Sequence, residues 1–369
     1  MAPSPSVPSW AREVDRVLAM AMRETALLAN ATPVGGRKRE ELVRAFESGS
    51  PCAPEWTYAP LDAALAAPRA TALEALADGL EARDAAPLAR VYAERARELA
   101  LETLLAAEVG TASFPARAGA RFSPAAAPAT SEASRLAREW IADREPPAPL
   151  DAKSDGSDPS SLASRLREEI GRHRVPFRVI VAEGLAPLAA TGDGIVWVTA
   201  GRAIPRVAVE RTVVHEIEGH VLPRVRASAL VPGIFAIGTA RGADDQEGLA
   251  LLLEERAGFL RGARRRELAL RHRAVEAMDA GGSFIDVVRA LIDRDGATTA
   301  GAVAAAERAF RGSAGEAAGL GRERVYLTAY ARVKARLGET PADERVIASG
   351  QVAVSAIDAL QGYALPRPA

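Results

Sequence analysis

Apolar residues recur at helical spacing through the first third of the chain: Val14-Leu18-Met22, Leu61-Leu65, Leu73-Leu76-Leu80 and Leu88-Tyr92-Leu99-Leu104. Steps of three and four residues bring such positions onto one face, so residues 10 to about 110 predict amphipathic helices. Pro51, Pro54 and Pro60 punctuate a loop between them. Residues 111 to 130 are rich in Ala, Pro and Gly and predict a surface loop, followed by a helix over about 131 to 143. From Arg144 to Ser160, four prolines and a cluster of Asp and Ser predict a linker or loop. No internal repeat is visible.

The pattern then changes period. After a helix near 161 to 172, the runs Phe177 to Ala182 and Ile195 to Ala200 are β-rich, joined through Gly-Asp-Gly at 192 to 194. They predict two strands of a small sheet, the second leading into a buried helix after Pro205 through the apolar pair Val213 and Val214. Beyond about residue 246 the chain reads as long helices broken by Gly-rich turns at 281 to 282, 312 to 315 and 319 to 321. The expected fold class is α+β, predominantly α-helical, with a small sheet beside one buried helix and an N-terminal helical region. The expected segments are 1–143 (helical), 144–160 (linker or loop) and 161–369 (the chemistry-bearing domain).

Composition narrows the class without naming the chemistry. At 369 residues, with 48% apolar and 26% charged residues, the chain suits two soluble domains or one large one. A net charge of −1 argues against a dedicated nucleic-acid binder. The basic run Arg261 to Arg266 is expected to be a solvated helix face or loop. A single cysteine, Cys52, rules out an internal disulfide framework and suits a reducing compartment. Residues 1 to 10 lack the apolar core of a signal peptide, and no stretch is long and uncharged enough to span a bilayer. A cytoplasmic protein with no membrane partner is expected.

Candidate chemistry concentrates at His215-Glu216-Ile217-Glu218-Gly219-His220, which takes two of only four histidines. Two neutral imidazoles can hold a zinc ion, and a carboxylate beside them can take a proton from an attacking water. The spacing is unusual. Zinc-protease histidines four apart share a helix face, whereas five apart are rotated by about 140° on an ideal helix. Both rings can reach one ion only if the helix is unwound, bulged or ending there. Gly219 offers backbone freedom for that distortion, and Pro223 opposes regular continuation. The best candidate for a third ligand is Glu247, at the head of the apolar run Leu249 to Leu253. Glu254 lies seven residues further, on the same helical face. It could orient a ligand histidine through the other ring nitrogen, or be the solvated end of the helix.

The pair HEIEGH and QEGLA resembles the bacterial family named for its QEGLA motif, of the flavohemoglobin expression-modulating type. That family is related to the tubulin tyrosine carboxypeptidases of the MATCAP type, which share the His-Glu-three-residues-His arrangement. The likeness continues through Arg271-His272-Arg273-Ala274-Val275, Gly281-Gly282-Ser283-Phe284 and Phe310-Arg311-Gly312 to Arg322-Glu323-Arg324-Val325-Tyr326-Leu327. Arg322-Glu323 stands where members usually read Lys-Asp. The likeness is looser upstream, over Pro33 to Tyr58. It implies a zinc metallopeptidase core with one Zn2+ held by His215, His220 and Glu247, Glu216 as base, and activity as a carboxypeptidase on peptide or protein C-termini. Peptide hydrolysis needs an oxyanion donor, and a carboxypeptidase needs a clamp for a free carboxylate. Tyr326 and Arg311 lie in family-like stretches and are the candidates for these roles, with Arg322 in reserve. By analogy with zinc peptidases, Val196 to Thr199 is the expected substrate-pairing edge. Two other readings stay open: a metal-binding regulatory or scaffold protein without turnover, and an endopeptidase or aminopeptidase using the same metal residues.

Overall fold

A computed structural model describes residues 6–122, 127–143, 145–146, 148–185 and 187–364. It is a predominantly helical α+β protein with two small sheets. Contacts divide the chain into two compact units. One joins Met1–Ser6, Arg144–Arg264 and Arg332–Ala369; the other joins Val7–Asp143 and Arg265–Ala331. Neither is continuous in sequence. The segment 161–369, expected as one domain, contributes to both.

The second of these units carries helices and loops, with one isolated antiparallel bridge between Gly35 and Thr57 among its described residues. Helices Ala63–Arg83 and Pro87–Glu108 pack along each other, and Ala11–Thr25 lies on the latter with Val14 and Leu18 buried. A second cluster gathers Phe284, Val287, Val288 and Leu291 from helix Phe284–Asp293 with Ala302, Val303 and Ala306 from Thr299–Ala309. The expected surface loop at 111 to 130 is overturned in part, because Phe114–Phe122 is a helix with Phe114 fully buried beside Leu105, Leu320 and Val325. Its proline falls in the first turn, where no backbone N–H is needed, and Ala and Arg favour helix thereafter.

The unit that carries HEIEGH holds both sheets. Strand β1 (Ala152–Lys153), inside the expected linker, pairs antiparallel with β5 (Ala203–Ile204). The larger sheet contains β2 (Arg178–Ala182), β3 (Ala189–Gly192) and β4 (Ile195–Thr199) in the order β2-β4-β3. β2 and β4 are parallel, whereas β3 and β4 form an antiparallel hairpin closed by Asp193-Gly194. Gly194 has φ 68°, the left-handed geometry such two-residue turns require. This order overturns the expectation for Val196 to Thr199. Those residues lie on the central strand, paired on both sides, and cannot accept an added strand. The Ala-Ala-Thr-Gly sequence of β3 carries little β propensity, so the outer strand was hidden.

One apolar ladder explains where the HEIEGH helix sits. Val209, Val213, Ile217 and Val221 recur every four residues and bury against Val196 and Val198 of β4. Leu162, Leu166 and Ile170 of helix Leu162–His173 complete that core. With the ladder committed to the core, the polar positions between its rungs are carried onto other faces.

Candidate metal centre

The HEIEGH segment is α-helical over Arg206–Glu216 and π-helical over Ile217–Val221, and returns to α-helix over Leu222–Ser228. A π turn bonds each residue to the fifth one on, so it brings side chains five apart to the same side. The rotation that separates His215 from His220 on an ideal helix is thereby removed. Pro223 does not end the helix. It occupies the first turn of the resumed α segment. Gly219 serves a purpose other than backbone freedom, since its φ is not positive. A Cβ there would meet Cβ of Ala250 at 2.6 Å. The glycine lets this helix approach the QEGLA helix, Gly242–Arg256, more closely than any side chain would permit.

That close approach carries Glu247 to the two histidines. His215 Nε2 and His220 Nε2 are 3.3 Å apart. Glu247 Oε2 lies 3.4 Å from the first and 3.7 Å from the second. Bonds of about 2.0–2.2 Å at tetrahedral angles separate donor atoms by roughly 3.3–3.6 Å, so a divalent ion such as zinc fits this triangle. The three residues can hold a metal ion.

Each imidazole is aimed by its remaining nitrogen. His215 Nδ1 donates to Glu254 Oε1 at 2.7 Å, and His220 Nδ1 donates to the amide oxygen of Gln246 at 3.1 Å. With Nδ1 as the donor, each neutral ring would offer its Nε2 lone pair to a metal ion on the side that faces Glu247. Glu254 is fully buried, not a solvated helix end, and Arg264 grips it through Nε at 2.9 Å and Nη2 at 2.8 Å. Arg264 belongs to the basic run expected to be solvated, and it is buried instead. Burial would raise the Glu254 pKa, but Arg264 and His215 bring it down to about 2. Burial likewise disfavours a charged His215, yet hydrogen bonding to Glu247 and Glu254 outweighs it and lifts that pKa to about 10. His220 is pushed the other way by its burial. The carboxylates thus draw positive charge to His215, whether as a proton or as a metal.

Glu216 is buried beside the histidines and accepts a hydrogen bond from the Thr191 hydroxyl of β3 at 2.7 Å. Thr191, Gln246 and Arg264 were all missed by the sequence reading. Gln246 had a signal in its place directly before Glu247, and Arg264 had one in its basic run. Thr191 had none.

Tyr326, Arg311 and Arg322 belong to the other unit, where they form a cluster of their own. The guanidinium groups of Arg271 and Arg322 lie over the Tyr326 ring at 5.6 and 5.8 Å from its centre. Buried Glu323 has Arg308 Nε at 3.1 Å and Arg271 Nη1 at 3.6 Å. Burial lowers the pKa of Arg311, as do neighbouring Arg308 and Arg322.

A protein-family model described as microtubule-associated tyrosine carboxypeptidase matches residues 44–364. The chain belongs to this family. The matched span takes in the histidine pair, Glu216, Glu247, Arg311, Arg322 and Tyr326. No curated protein matches the chain. Membership in the tyrosine carboxypeptidase family makes this a carboxypeptidase-like protein, consistent with a peptide as substrate. Among the described residues no helix is long and apolar enough to cross a membrane.

Proposed function

We propose that this protein is a zinc-dependent carboxypeptidase acting on peptide or protein C-termini, with His215, His220 and Glu247 as ligands and Glu216 as the base. The observation that carries the reading is the donor triangle with 3.3, 3.4 and 3.7 Å edges, produced by a π turn and joined by a carboxylate next to the first histidine. A purely structural zinc site closes all four positions with protein ligands and has no use for a base. Three ligands plus Glu216 favour turnover over a scaffold role.

Bound zinc would supply carbonyl polarisation and a more acidic water. Glu216 takes the proton from the attacking water as the oxygen–carbon bond forms. It returns that proton to the nitrogen of the leaving amino acid as the carbon–nitrogen bond breaks. Thr191 fixes the Glu216 carboxylate through one oxygen during both transfers. Glu254 and Gln246 keep the two rings in the tautomer that leaves Nε2 unprotonated. β3 rather than β4 is an outer strand of the sheet, and it carries Thr191, so β3 is the strand along which an extended substrate would pair. Tyr326 as donor to the oxyanion, and Arg311 and Arg322 as recognisers of anionic groups on the substrate, extend the same proposal. They rest on the family match across them and on the concentration of guanidinium groups around Glu323.

The test is direct. Glu216→Gln should lower peptide hydrolysis by about 10²–10⁴-fold while retaining one zinc per chain. His220→Ala should lose the metal together with activity. Mass analysis of digested peptides should show loss of single C-terminal residues. Internal cuts would reassign the enzyme as an endopeptidase. Unchanged peptides from the zinc-loaded wild type would leave a binder.

A further inference from the structure

Arg224 stands one helical turn after His220, on the helix that carries both histidines. Residues four apart share a face, so Arg224 is directed to the same side as that ligand. It is half-buried, and its Nε is shielded from solvent without a hydrogen-bond partner. The acidic groups that act on it are those of the metal centre and its neighbouring hairpin: Asp193 at the β3–β4 turn, Glu216 and Glu247. Among the described residues none forms an ion pair with it, whereas Arg264 is gripped by Glu254. A guanidinium withdrawn from water with a donor left unused is costly unless a ligand completes it.

We propose that Arg224 binds the terminal carboxylate of the substrate. The proposal rests on the carboxypeptidase reading above and names the group that gives it direction. A planar, permanently charged fork suits a carboxylate, and its place one turn from His220 puts that carboxylate near the metal ligands. Glu216 and Glu247 act on the guanidinium through their charge without pairing with it. Arg311, in the other unit, is the rival for the same role.

Two peptides of identical sequence, one ending in a free acid and one in a carboxamide, separate the possibilities. Binding is measured by calorimetry on zinc-loaded Glu216→Gln protein, and hydrolysis on the zinc-loaded wild-type background. The free acid should bind on the order of 100-fold more tightly than the amide, and Arg224→Ala should abolish that preference while leaving amide binding within threefold. Arg224→Lys should restore part of it, and zinc content should match wild type in both variants. In hydrolysis the Arg224→Ala loss should fall on KM for the free acid. Equal losses on acid and amide would make Arg224 an oxyanion or structural group and overturn the proposal. So would an acid-specific loss in Arg311→Ala with none in Arg224→Ala, or no preference in the parent protein. A wild type that fails to hydrolyse yet shows an Arg224-dependent acid preference would sink the peptidase reading and uphold the carboxylate site. A wild type that hydrolyses with Glu216 dependence but without Arg224-dependent preference would do the reverse.

Discussion

Glu254 and Glu323 are both withdrawn from water, at 0% and 3% exposure, one in each compact unit, and they solve the same problem differently. Glu254 is held by one arginine through both of its oxygens and passes the remaining interaction to His215. Glu323 is answered by arginines alone among the charges that act on it most, namely Arg308, Arg271, Arg311 and Arg322. Burial would raise its pKa, and those arginines bring it down. A buried carboxylate needs a cation in either case. The difference is where the negative charge is spent. Glu254 spends part of it on the basicity and orientation of a metal-ligand candidate, and Glu323 spends all of it neutralising guanidinium groups. Burial and a depressed pKa therefore do not distinguish a functional carboxylate from a structural one; the identity of the partner does.

The comparison breaks most visibly at Glu323. Glu323→Ala strands Arg308 and Arg271 against an empty partner, and removing one member of a buried pair costs about 3–5 kcal/mol. Urea denaturation should show that loss, while the fraction that remains folded still binds one zinc per chain. A loss below about 1 kcal/mol would mean that solvent or other acids already neutralise those arginines.

The same contrast shows what the sequence could reveal. Helix periodicity at Val14-Leu18 and Leu73-Leu80, the two β-rich runs and the HEIEGH anomaly were all legible, because each is a local pattern with one physical meaning. The need for a distorted turn between His215 and His220 followed from rotation alone, and a π turn meets it. What stayed hidden depends on partners remote in sequence. β3 is a strand because β4 lies beside it, not because Ala-Ala-Thr-Gly favours one. Gly219 matters because Ala250 of another helix is at 2.6 Å from its missing Cβ. Arg264 looked solvated within a basic run, and only the fold shows Glu254 waiting for it.

Glu254 sharpens the comparison with a smaller effect of a different kind. Glu254→Gln keeps an acceptor for His215 Nδ1 but removes the charge that supports the imidazole. Outer partners of ligand histidines are worth about 10–100-fold in metal affinity. Zinc titration against a competing chelator should show that loss, and Glu323→Gln should leave zinc affinity unchanged. Equal affinities for Glu254→Gln and wild type would place Glu254 in the same structural category as Glu323.

Glu276 lies between these two extremes and gives the smallest effect. Its side chain is 29% exposed, and it is bonded by the Ser134 hydroxyl at 2.6 Å and Arg273 Nη1 at 2.7 Å, with His272 Nε2 at 3.5 Å. Burial would raise its pKa, but His272, Ser134 and Arg273 outweigh it and depress the value to about 2. A carboxylate whose folded pKa is depressed stabilises the protein fully above its unfolded value near about 4.3, and that stability is lost as pH falls toward about 2. With solvent screening the contribution is on the order of 1 kcal/mol. Glu276→Gln should therefore lower stability at pH 7 by that amount and flatten the acid limb of a stability–pH curve between about pH 4 and pH 2. Zinc affinity should not move, since the carboxylate serves no ligand. A variant with the full wild-type acid dependence would show that neutral hydrogen bonds, not charge, hold Glu276 in place, and would confine the cation requirement to fully buried carboxylates such as Glu254 and Glu323.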